Sequence, residues 1–201
     1  MERIETSPRP VVKLAASARL PSRFGDFRVA AFECEDGEYG VVMRGELRGA
    51  EAVPVRLHSE CFTGDVMGSL KCDCRDQLEA ALRFIGRADR GAVVYLPQEG
   101  RGIGLANKIR AYALQDEGLD TVEANLALGF PDDLRRYDVA AEVLRQLGVR
   151  SIVLLTNNPT KRAGLTRAGI DVVGQIPLRS EPNPHNAHYL DTKRDKSGHL
   201  L

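Results

Sequence analysis

Two short apolar stretches constrain this chain more than any other feature: Gly91–Leu96 (GAVVYL) and the IVLL core of Arg150–Thr156 (RSIVLLT). Each reads as a strand buried on both faces, and each runs through a polar turn into a stretch with helical spacing. After the first come the loop Pro97–Gly102 and a helix from about Ile103 to Glu117. After the second, Pro159 suits the first turn of a helix that Gly169 ends, and Ile170–Val173 begins a last short strand. With a further helix over Asp138–Leu147, this alternation predicts an α/β layer with some parallel pairing.

The first third reads differently. Residues 28–34 and 39–44 form two strands around Asp36-Gly37, a pair that suits a hairpin turn. Val53–Glu60 alternates, with Val53, Val55 and Leu57 on one face and Arg56, His58 and Glu60 on the other, which predicts a half-buried strand. Leu78, Ala81, Leu82 and Ile85 follow helical spacing behind Asp73 as N-cap. The expected fold is therefore mixed α/β (α+β): a mixed sheet with an N-terminal antiparallel hairpin region and flanking helices. One domain is expected over 1–180, followed by a polar, Pro/Asn-rich tail over 181–201 that is mobile without ligand. Residues 1–25, rich in Arg, Ser and Pro, are expected to order late or poorly. There is no internal repeat.

Lys plus Arg balances Asp plus Glu, 28 against 28, so no net field is available to grip a polyanion such as DNA. A nucleic-acid partner is excluded on that ground, whereas a local pocket for a small phosphorylated ligand is not. No run approaches the roughly 18 apolar residues of a membrane span, and Val11–Ala18 is broken by Lys13 and too short for a signal sequence. No membrane partner and a cytoplasmic setting follow. Four cysteines in such a chain point to ligands or reactive thiols more than to disulfides.

Cys61, Cys72 and Cys74 form C-x10-C-x-C. An extended Lys71–Cys74 would place Cys72 and Cys74 on one side. Three thiolates suit zinc and leave a fourth position for water, the pattern of a catalytic site. Spacing alone leaves open a structural site with a fourth ligand, or three ordinary buried cysteines. Cys34, distant in a strand, reads as a small buried hydrophobe. Zinc deaminases use related chemistry, but their H-x-E and P-C-x-x-C signatures are missing.

Two strand-to-helix turns are candidates for holding phosphate. Gln98–Gly104 (QEGRGIG) opens a helix with three alternate glycines, and Thr156–Lys161 (TNNPTK) gathers hydroxyl, amide and ammonium groups. Neither is a dinucleotide fingerprint or a P-loop, and plain turn or capping roles remain open for both. Arg56, His58 and Glu60 could be a solvated face, and Asp133 and Arg135 an exposed charged turn. Tyr112 shares a helix face with Leu105 and Ile109, which by itself means core packing.

Together, RLHSECFTGD (56–65), SLKCDC (69–74), QEGRGIGL (98–105), NKIRAYALQD (107–116), DTVEAN (120–125) and LLTNNP (154–159) resemble GTP cyclohydrolase II. The resemblance runs in register from about Val53 to Leu178, and the tail YLDTK…GHLL fits as well. It implies one zinc per chain on Cys61, Cys72 and Cys74. GTP contacts are implied at Arg56, Leu57, His58, Ser59, Glu60, Gln77, Glu99, Gly100, Arg101, Thr121, Thr156 and Lys161. Asp133 is implied as proton acceptor, Arg135 as the group that attacks the α-phosphate, and Tyr112 as a participant in ring opening. A homodimer, magnesium with the triphosphate, and the first step of riboflavin synthesis complete the implied picture, with formate, pyrophosphate and a diaminopyrimidine as products. Pro97, Lys71 and Arg75 depart from the family pattern at motif margins. The short stretch ahead of the motifs leaves no room for the second synthase domain of bifunctional relatives, so the monofunctional form is expected. Two alternatives stand beside this reading: a variant that stops at a formamidopyrimidine, and a non-catalytic, zinc-stabilised nucleotide-binding protein.

Overall fold

The computed structural model describes residues 9–179, 181–195 and 198. Its strands are β1 (Val12–Ser22), β2 (Gly25–Cys34), β3 (Gly37–Arg44), β4 (Val53–Ser59), β5 (Gly91–Leu96), β6 (Ser151–Leu155) and β7 (Asp171–Ile176). Its helices are α1 (Cys74–Arg87), α2 (Leu105–Asp116), α3 (Thr121–Ala127), α4 (Asp138–Gln146), α5 (Pro159–Arg167) and α6 (Ala187–Asp195). The strands form one mixed sheet in the order β1-β2-β3-β5-β4-β6-β7. β1, β2, β3 and β5 pair antiparallel, whereas β5, β4, β6 and β7 pair parallel. The mixed sheet expected from the sequence is the one observed.

Alternate residues of β5 explain how the sheet is covered. Ala92, Val94 and Leu96 join Val53, Val55 and Leu57 in a core closed by Val139, Val143 and Leu144 of α4 and Leu165 of α5. Val93, on the other face, packs with Phe27, Leu155 and Ala81 and Ile85 of α1. Period two on the central strands thus feeds two helical layers. No helix among the described residues is long and apolar enough to cross a membrane.

Four local differences from the sequence reading have physical causes. β4 is buried on both faces, because its polar side lies under α1 and the cleft described below: Arg56 is 4% exposed and His58 2%. β1 forms from a stretch that composition marked as poorly ordered. It is held by backbone pairing with β2 along its length while most of its side chains stay exposed, so no apolar pattern announces it. Residues 1–8, covered by the same expectation, lie outside the described residues.

Helix α3 is started by a reciprocal capping box: Asp120 accepts from the N–H of Val122 and Glu123, and Glu123 accepts from the N–H of Asp120. The fourth difference is the polar tail, which carries α6. Asn183 accepts from the N–H of His185 and Asn186 ahead of the helix, Leu190 is buried, and Lys193 pairs with the buried Asp73 at 2.6 Å. The last part of the GHLL motif lies outside the described residues.

Candidate active site

The parallel strands β4, β5 and β6 all deliver their C-terminal ends to one cleft, the usual place for ligands in parallel sheets. β4 runs out into Ser59, Glu60 and Cys61, β5 into Gln98 and Glu99, and β6 into Thr156, Asn157 and Asn158, all lining the cleft.

Beyond β4 the chain makes a single π-helical turn, Phe62–Val66, and returns to α1 through Cys72. The sulfurs of Cys61, Cys72 and Cys74 lie within 4.8 Å of one another, with Cys61 and Cys72 3.7 Å apart. A tetrahedral zinc with bonds of about 2.3 Å separates its sulfurs by roughly 3.8 Å, so the donor set fits that ion. Convergence does not come from an extended Lys71–Cys74: Cys74 is the first residue of α1, and the helix start turns its sulfur toward the others. Asp73 makes no side-chain cap bond; it accepts from Gln77 and Lys193 instead. Cys34 packs on the main core, as a small hydrophobe would.

Gly64 sits inside the cage. A Cβ there would lie 2.8 Å from the Cys72 sulfur and 3.1 Å from that of Cys61. Gly64→Ala is therefore expected to weaken metal binding by about 10- to 100-fold, the size seen when groups around metal ligands are disturbed. Chelator competition on the purified variant checks this, and parental affinity would contradict it.

Two carboxylates pin the cage loop. Asp65 accepts from Tyr95 Oη at 2.9 Å, from the Cys61 N–H at 3.1 Å and from His58 Nε2 at 2.9 Å. Burial pushes the His58 pKa down, against the pull of Asp65, so the ring is neutral and donates from Nε2. Glu99 accepts from the Phe62 N–H at 2.6 Å and from Lys108 Nζ at 2.8 Å. Lys108 also donates to the Cys61 sulfur at 3.0 Å. The thiols of Cys72 and Cys74, with Lys108, hydrogen-bond to Cys61 and hold its pKa far below the usual thiol range. The hydrogen bond to Cys61 pushes Cys72 up to about 11.

The opposite wall is basic. Arg56 donates to the Leu155 carbonyl and to Gln77, and Lys161 donates to the Leu57 carbonyl at 2.7 Å. Neither has an ion-pair partner among the described residues, and burial lowers the pKa of both, Arg56 to about 10 and Lys161 well below its ordinary value. Buried cations without counter-ions are costly unless an anion arrives to pair with them. Arg56 Nε, His58 Nδ1 and Ser59 Oγ are also buried without a partner, hydrogen-bonding capacity that a polar ligand could use.

Arg135 lines the cleft too, clamped by two hydrogen bonds from its Nε and Nη2 to the two oxygens of Asp133. Burial disfavours both charges, yet this pairing overrides it, holding Asp133 below and Arg135 above their usual ranges. Burial, reinforced by Glu99 and Asp65, pushes the Glu60 pKa up.

The structure brings most of the expected site residues together. Arg56, His58, Ser59, Glu60, Gln77, Glu99, Gly100, Arg101, Tyr112, Thr121, Thr156 and Lys161 all line the cleft with the three cysteines and Arg135. Leu57 does not: its side chain belongs to the core, leaving only its backbone for the site. Asp133 stands behind Arg135. The stripe that suggested core packing for Tyr112 is on the surface, with Leu105 41% and Ile109 48% exposed. The buried side of α2 is Lys108 and Ala111. Tyr112 Oη instead lies 3.4 Å from Thr63 Oγ1, which lies 3.7 Å from the Cys61 sulfur. Sequence reasoning missed Gly64, Asp65, Lys108, Asn125, Tyr189 and Lys193, although Gly64 and Asp65 sit within RLHSECFTGD and Lys108 precedes Tyr112 by one helical turn.

Three thiols facing a basic, largely buried wall make the kind of site that suits metal-assisted hydrolysis of an anionic substrate. The comparisons narrow that class. The GTP cyclohydrolase II family profile matches residues 13–177. The chain is 50% identical over 192 residues to a GTP cyclohydrolase-2 of Picrophilus torridus, covering 95% of this chain and 100% of that one. It is also 50% identical over 192 residues to a GTP cyclohydrolase-2 of Histophilus somni, covering 94% and 89%. Against a riboflavin biosynthesis protein RibBA of Salinispora tropica it is 53% identical over 193 residues, spanning 94% of itself but 48% of that protein. The chain belongs to the GTP cyclohydrolase II family and is a hydrolase.

Proposed function

We propose that this enzyme opens the imidazole ring of GTP by zinc-assisted hydrolysis, releasing formate and pyrophosphate and forming the diaminopyrimidine that begins riboflavin synthesis. The observation that carries the reading is one cleft, in a member of this family, that joins a three-sulfur cage to buried cations lacking counter-ions. Cys61, Cys72 and Cys74 would hold a zinc ion, which would supply a Lewis acid and activate water for attack on the purine. Magnesium accompanies the triphosphate.

The chain's own residues divide the remaining work. Arg56, Arg101 and Lys161, with Thr156 and the backbone at the start of α5, neutralise and orient the phosphates. Gln77 braces Arg56. Glu60, beside Cys61 and with its pKa raised, exchanges protons near the ring. Arg135 attacks the α-phosphorus, forming an N–P bond as the P–O bond to pyrophosphate breaks, and as that bond makes the guanidinium acidic Asp133 takes its proton across the existing hydrogen bonds. Water then cleaves the N–P bond.

Incubation with GTP and magnesium followed by mass spectrometry tests the reading. The diaminopyrimidine monophosphate is the expected product. A formamidopyrimidine would favour the truncated reaction, and unchanged GTP a nucleotide-binding role.

Tyr112→Phe separates the full from the truncated reaction. The lost hydroxyl neighbours the cage loop, so turnover or deformylation should fall about 100-fold or more. Stability should change by no more than about 1 kcal/mol, one hydrogen bond's worth. Normal turnover with a lowered melting temperature would return Tyr112 to a packing role.

A homodimer is part of the proposal. Leu105 and Ile109 of α2 and Leu126 of α3 are exposed apolar side chains that such a contact could cover. A cytoplasmic, reducing setting suits four free cysteines.

A further inference from the structure

Three thiolates around a dication leave one surplus negative charge, in a cleft whose proposed substrate is itself a polyanion. Among the described residues, one ammonium group donates to this cage. Lys108 is buried, donates to the Cys61 sulfur at 3.0 Å and to Glu99 Oε1 at 2.8 Å, and lies 5.6 Å from the centre of the Tyr112 ring. Glu99 in turn holds the Phe62 N–H through its other oxygen, so α2, the QEGRG turn and the cage loop are fastened together at this lysine. Among the described residues no corresponding cation donates to Cys72 or Cys74.

We propose that Lys108 is a positioning residue of the metal centre, drawing charge from Cys61 alone and so making it the weakest of the three sulfur donors. Because Glu99 shares the ammonium's charge, the effect is local to that sulfur. A thiolate that accepts a charge-assisted hydrogen bond gives less electron density to its metal, which stays more electrophilic toward the purine. Glu99 thereby acts on the metal through Lys108 as well as on the nucleotide. A lysine kept only to fill the wall would need neither the sulfur contact nor the carboxylate that aims it.

The inference rests on the zinc reading, and cobalt(II) in place of zinc separates the two. Parent protein that takes up no metal and shows no sulfur-to-cobalt charge-transfer bands would defeat the zinc reading itself. With bands present in the parent, Lys108→Met should shift them to lower energy, because the Cys61 sulfur regains its electron density. Lys108→Arg, which keeps a donor and a charge, should leave them near their parental position. The zinc form of Lys108→Met should lose about 10- to 100-fold in kcat with a smaller change in KM for GTP. If Lys108→Met cannot hold metal but Lys108→Arg can, the charge contact is supported. Parental bands in Lys108→Met, or equal loss of metal in both variants, would overturn it.

Discussion

Cys72→Ser protein is expected to fold, to carry no zinc and to release no formate from GTP. Cys72 belongs to neither hydrophobic core, so the sheet and its two helical layers do not depend on it. Its sulfur lies 3.7 Å from that of Cys61 and is one of the three donors that the described residues bring to the cage. A serine hydroxyl keeps its proton at neutral pH and is a poor zinc ligand, so two thiolates remain where a stable site needs at least three protein ligands. Elemental analysis and far-ultraviolet circular dichroism together check this. An active Cys72→Ser protein without metal would remove zinc from the mechanism.

Arg135→Ala should do the opposite: bind zinc as the parent does, yet lose formate and pyrophosphate release together. Removing a charged group that acts on a transferring phosphorus costs at least about 100-fold, and more if the group also forms the covalent bond. The neighbouring Arg136 supplies the control. Its side chain is exposed and pairs with Asp138 away from the cage, so Arg136→Ala should turn over near the parental rate. Pyrophosphate release at the parental rate from Arg135→Ala would make Arg135 an ordinary clamp for Asp133.

What the sequence made legible follows from where the physics is local. β5 and β6 were readable because a strand buried on both faces needs an unbroken apolar run, and α4 because its buried side repeats at helical spacing. β1 was not, since backbone pairing with β2 stabilises it without an apolar face. α6 was not, because its anchor, the pairing of Lys193 with Asp73, links residues far apart in sequence. The α3 capping box is local, Asp120 and Glu123 standing three residues apart, and so lies within reach of the sequence. In the site, the three cysteines stood out by residue type. Lys108 and Asp65 did not, because a lysine and an aspartate are common on surfaces and only the fold buries them against Cys61. Tyr112 shows the reverse error: its apolar neighbours at helical spacing lie at the surface, and the face it was thought to share with a core is open.

On the proposed mechanism one enzyme removes C8 of the purine and the terminal phosphates in the same turnover. GTP labelled with carbon-13 at C8, incubated with the zinc-loaded protein and magnesium, tests it directly by following labelled formate and pyrophosphate together. Labelled formate and pyrophosphate appearing in equal amounts, with the formate lost in chelator-treated protein and restored by zinc, is the predicted result. Label that stays in a nucleotide while the protein is fully loaded with zinc would contradict it.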